Sequence, residues 1–78
     1  MNELTLTILK EKISNSGYKV AYIADKLGIS RPSLLNRLSG RYPFTIAEAG
    51  ILREILKMTN EETLFIFFGV QVHSECTL

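Results

Sequence analysis

The stretch Val20-Ala21-Tyr22-Ile23-Ala24-Asp25-Lys26-Leu27-Gly28-Ile29-Ser30-Arg31-Pro32-Ser33-Leu34-Leu35-Asn36-Arg37-Leu38-Ser39-Gly40 decides the fold. Val20, Ile23, Ala24 and Leu27 recur at three- and four-residue steps, which predicts a short helix over about 20–27. Gly28 closes it, because a tight turn needs a left-handed residue and glycine adopts one without steric cost. Ile29 plugs the turn. Ser30 is placed to accept a hydrogen bond from a first-turn amide of the next helix. Pro32 fits there, since first-turn N–H groups have no intrahelical partner. That helix is expected over about 31–39, with Leu34 and Leu38 inward, Leu35 beside them and Gly40 as its stop. Ala24 is small where the two helices would cross closely, and Ile29 and Leu34 would set the angle between them.

Working towards the N-terminus, Leu6, Leu9 and Ile13 form a helical stripe with Ile8 beside it, so a helix is expected from about Glu3 to Asn15. Thr5 and Thr7 alternate with apolar neighbours, which leaves a strand over the first eight residues as the alternative. Ser16-Gly17 ends the helix. Working towards the C-terminus, Arg41-Tyr42-Pro43-Phe44 reads as a loop. Thr45-Ile46-Ala47-Glu48 has the form of a capping box. The helix it opens is expected to reach about Met58, with Ile46, Ala49, Leu52, Ile55 and Leu56 inside. Thr59-Asn60-Glu61-Glu62 repeats the capping signal before a last helix to about Phe68, which carries Leu64, Phe65, Phe67 and Phe68. Gly69 ends it, and 69–78 is expected to be a frayed tail or a short strand in need of a partner. The expected class is therefore all-α: a five-helix bundle over 1–68 with a C-terminal tail.

The chain has 78 residues, 46% hydrophobic and 22% charged, which suits one small globular domain. No apolar run approaches the roughly 18 residues of a membrane span. No basic segment precedes an apolar one at the N-terminus, so no signal peptide is expected and the cytoplasm is the expected compartment. The single cysteine, Cys76, excludes an internal disulfide framework. Catalysis is not expected. The only His and the only Cys, His73 and Cys76, both lie in the tail. Their spacing with Glu75 matches no zinc pattern, so no metal is expected. The glycines are scattered and form no phosphate-binding loop, so no cofactor and no small-molecule ligand are expected. Net charge is only +1, but its distribution is uneven. Residues 1–43 hold seven basic side chains against three acidic ones, and residues 44–78 hold two against five. A basic first half suits a polyanionic partner.

Ile23-Ala24, Leu27-Gly28-Ile29 and Leu34 together meet the steric needs of a helix-turn-helix. Val20–Gly40 resembles the helix-turn-helix of phage Cro and repressor proteins. The stretch from Gly40-Arg-Tyr-Pro-Phe-Thr-Ile-Ala-Glu48 through Thr59-Asn-Glu-Glu62 to Phe67-Phe68 resembles the small Cro-like regulators of Gram-positive bacteria and their phages. The resemblance spans about residues 4–68, and the same fold also occurs in antitoxins and larger regulators. It implies a five-helix domain of the phage-repressor type that binds operator DNA, usually as a dimer. Two positions depart from the family pattern. Arg37 stands where many members have an apolar residue, which passes the apolar role to Leu38 and leaves Arg37 towards the DNA backbone. Tyr18 and Lys19 stand where many members have a polar cap or a glutamine.

By the matching positions, the helix at about 31–39 would lie in the major groove of double-stranded DNA. Arg31 is the first expected base reader, because a guanidinium grips guanine O6 and N7 together. Pro32, Ser33 and Asn36 are the other expected base contacts, Asn36 towards adenine and Pro32 towards a thymine methyl. Lys19, Ser30, Arg37, Ser39, Arg41 and Tyr42 are the expected phosphate contacts. Leu64–Phe68 is five apolar residues in a row, more than one helix face buries, so Phe65, Phe68 and Val70 are expected to join two copies in a homodimer. The expected function is that of a sequence-specific transcriptional regulator, Cro-like or a minimal repressor, on a pseudo-palindromic operator. The rival expectation is a protein-binding module or an antitoxin that uses the same helices and the phenylalanine surface to bind a partner chain.

Overall fold

Five helices, α1 Glu3–Ser16, α2 Val20–Leu27, α3 Arg31–Leu38, α4 Ile46–Leu56 and α5 Asn60–Phe68, make up the computed structural model, which describes residues 2–69. There is no strand among the described residues, so the chain is all-α over that range. No helix there is long and apolar enough to cross a membrane. The tail from Val70 onward, with the Val70 dimer contact, lies outside the described residues.

The helix ends follow from local chemistry. Asn2 caps α1, its Oδ1 accepting from the Thr5 amide at 2.8 Å while Thr5 Oγ1 accepts from the Asn2 amide at 3.1 Å. That reciprocal cap settles the start of the chain as helix and excludes the strand alternative. The two capping boxes read from the sequence are both formed, Thr45 with Glu48 and Thr59 with Glu62. Gly28 takes φ +73°, and its amide donates back to the Ala24 and Asp25 carbonyls. The Ile29 amide also donates to Ala24 at 3.0 Å. Only three residues, Gly28 to Ser30, therefore separate α2 from α3.

The core draws one fully buried side chain from every helix: Leu9, Ile23, Leu34, Leu52 and Ile66. Ala24, Leu27, Leu38 and Met58 close around them. Phe44 and Phe67 seal one side, edge to face with ring centroids 5.5 Å apart. Two ion pairs link helices at the periphery of the core. Lys12 of α1 meets Glu62 of α5 at 2.8 Å, and Arg37 of α3 meets Glu48 of α4 at 3.0 Å.

Two expectations are corrected. Ile46 was expected inside but is 78% exposed. It opens α4 and lies roughly 120° around the axis from Leu52, at about 100° per residue. The fourth helix stops at Leu56 rather than near Met58, because Lys57 adopts φ +55° and turns the chain. In α5 the buried anchor is Ile66, while Leu64 and Phe68 point outwards and Phe65 and Phe67 are half-buried.

Candidate functional site

The α2–turn–α3 unit presents α3 at the surface. Leu34 and Leu38 hold its inner side against the core. At about 100° per residue, Pro32, Ser33 and Asn36 then face away from the core, and Arg31 lies roughly 140° around the axis from Asn36. Pro32 is exposed, and Asn36 and Ser33 are half-buried. The Asn36 carboxamide has no hydrogen-bond partner among the described residues, so both its donor and its acceptor face are free. Its backbone carbonyl accepts from Ser39 Oγ at 2.8 Å and from the Arg41 amide at 3.0 Å.

Ser30 caps α3. Its Oγ accepts from the Ser33 amide at 3.2 Å and donates to Ser33 Oγ at 2.9 Å. Ser30 and Ser33 thus hold each other, which sets the first turn of α3 before any ligand arrives. Arg31 is exposed at that first turn and shares the border of one surface hollow with exposed Lys19. Arg41 and Tyr42 project from the loop after α3, both exposed. Among the described residues, Lys19, Arg31 and Arg41 make no ion pair.

Arg37 behaves differently. Its Nε donates to Glu48 Oε1 at 3.0 Å and its Nη1 to the Ser33 carbonyl at 3.4 Å. Both side chains are largely buried, so Arg37 braces α3 against the cap of α4. The expected phosphate contact of Arg37, which follows from Leu38 taking the apolar position, is therefore corrected: the guanidinium is held by Glu48.

An aromatic stack at the entrance to α2 has no counterpart among the expectations. Tyr18 and Tyr22 stack with centroids 4.9 Å apart, and Lys26 Nζ stands 5.4 Å from the Tyr22 ring centre. Only the Tyr22–Lys26 half is written in the spacing, since residues four apart are neighbours on a helix surface and Tyr18 precedes the helix. Leu35, 47% exposed on α3, was likewise grouped with the core.

Of the expected dimer residues, Phe68 is 48% exposed and Phe65 is half-buried against the core. Leu64, four residues before Phe68, is the second exposed member of the stripe. No group of three or more His, Cys, Asp or Glu among the described residues is arranged to hold a metal ion.

No protein-family model matches the chain, and neither a curated protein nor a solved structure matches it significantly.

Proposed function

We propose that this chain is a sequence-specific regulator that binds double-stranded DNA through a helix-turn-helix formed by α2 and α3, in the manner of the Cro and repressor proteins its sequence resembles. The observation that carries the reading is the surface of α3. Its outward side offers the Asn36 carboxamide, and the exposed cations Arg31 at its start, Arg41 in the loop after it and Lys19 at the start of α2 make no ion pair among the described residues. A helix presenting a few base-reading groups between backbone-neutralising charges is what major-groove recognition requires.

In this reading Arg31 and Asn36 read base edges, with Pro32 and Ser33 shaping the contact. Lys19, Ser30, Ser39, Arg41 and Tyr42 position the helix on phosphates. Arg37, occupied by Glu48, fixes the angle at which α3 is presented and is left out of the phosphate set. The chain pairs with a second copy through Leu64, Phe68 and Phe65, so that two α3 helices address half-sites about 34 Å apart. Catalysis, metal and cofactor have no place in the mechanism. Occupying a promoter would then exclude polymerase.

Selection from a pool of random duplexes, followed by sequencing, tests this. The expected result is an enriched pseudo-palindrome whose affinity falls steeply with salt. Arg31→Ala should lose about 1–3 kcal/mol of binding and relax the preference at one base position per half-site. No enrichment, with Arg31→Ala indistinguishable from the parent, would overturn the proposal.

A further inference from the structure

A groove of about 750 Å³ runs between the end of α1, the start of α2 and the flank of α3. That volume lies within the range of roughly 300–1,000 Å³ usual for ligand sites. Ile13, Val20 and Leu38 line it, one from each helix. Tyr18 and Leu35, 41% and 47% exposed, also line it and leave apolar surface open to water. Lys10, Lys19 and Arg31 border it, all exposed, and no carboxylate is among its lining residues.

We propose that this groove docks an acidic segment of a partner protein that inserts bulky apolar side chains between α1, α2 and α3. Two features select that chemistry. Apolar walls gain from an apolar insert and gain nothing from a sugar-phosphate backbone. Three cations without a countercharge draw a segment bearing carboxylates and repel a basic one. Residues 70–78 offer a single acidic side chain, Glu75, to the three cations, a weaker charge match than a segment bearing several carboxylates. Where the DNA reading holds, the occupant competes with the duplex, because Lys19 and Arg31 serve both.

The test is selection of short random peptides displayed on phage against the full chain, without DNA. A synthetic copy of the enriched peptide is then titrated by fluorescence anisotropy. Enriched peptides should combine Asp or Glu with Leu, Ile, Phe or Trp. Leu35→Ser and Lys19→Glu should each weaken binding by about tenfold, equivalent to about 1.4 kcal/mol. Glu61→Gln, exposed on α5 and outside the groove, should leave it unchanged. Both substituted groove residues are exposed, and circular dichroism verifies that each variant stays folded. The proposal is overturned by no enrichment, by basic or uncharged winners, or by binding that survives both groove substitutions. Sedimentation showing self-association abolished by Leu35→Ser would overturn it too, assigning the groove to a second copy. Failure to bind DNA leaves this measurement untouched, so the two proposals fall separately.

Discussion

Glu48 Oε1 accepts two hydrogen bonds, from the Thr45 amide and from Arg37 Nε, each at 3.0 Å. One oxygen therefore caps α4 and anchors α3. Glu48→Ala removes the reciprocal half of the capping box and leaves a largely buried guanidinium without its anion, so it should cost about 3 kcal/mol in urea unfolding. Glu48→Gln keeps an acceptor for the amide and should cost less. The free cations belong to a different experiment. Each phosphate neutralised contributes roughly −0.9 to the slope of log affinity against log salt. Under the DNA reading, Arg41→Ala should flatten that slope by about 1 and weaken all sequences alike. An unchanged slope would remove Arg41 from the phosphate set. The Thr45-x-x-Glu48 motif is legible because capping is a contact over three residues. Arg37 lies eleven residues from Glu48, and nothing local announces their pairing.

Among the helices, α4 has the least comfortable end. Lys57 sits at φ +55°, where an L side chain is strained and glycine is not. Lys57→Gly should raise stability by about 1 kcal/mol, read as a shift in urea midpoint at constant slope. The α1–α5 contact brings its own pH dependence. The Lys12 ammonium hydrogen-bonded to Glu62 holds that carboxyl below its ordinary range, with the Thr59 amide adding to the effect. A carboxyl depressed in the folded state contributes stability above its unfolded pKa, and that contribution is lost as pH falls through the folded value. The acid limb of the stability profile, below about pH 4.3, should therefore be shallower in Glu62→Gln. Because the pair is partly exposed, the change should also shrink in high salt. Identical acid limbs would show that the pair contributes nothing in solution.

At the scale of the whole molecule, the apolar stripe of α5 and the groove share no lining residue. Leu64 and Phe68 belong to α5, whereas Tyr18 and Leu35 flank α2 and α3. Burying the first between copies leaves the second free, so dimerisation and groove binding are separable. Under the proposed dimeric DNA reading, Phe68→Asp should shift the sedimentation profile to monomer and weaken a two-half-site duplex far more than a single half-site. A dimer that persists in Phe68→Asp would move the interface elsewhere. Glu48, Glu54 and Glu62 are paired in salt bridges, while Lys19, Arg31 and Arg41 make none among the described residues.

Spacing, caps and glycines determined by themselves that this chain forms five helices, where most of them end, and that Gly28 turns α2 into α3. Those features are settled by contacts within about four residues, which periodicity records directly. Leu6, Leu9, Ile13, Ile23, Leu34 and Leu52 were readable as core for the same reason. Tertiary structure alone decided that Ile46 faces water, that Ile66 rather than its phenylalanine neighbours anchors α5, and that Leu35 lines a groove. It also decided that Lys12 meets Glu62 across 50 residues and that Arg37 turns inward. Which of several apolar residues on one helix is covered depends on where the other four helices lie. A helix records its own stripe but not the width of the surface that covers it.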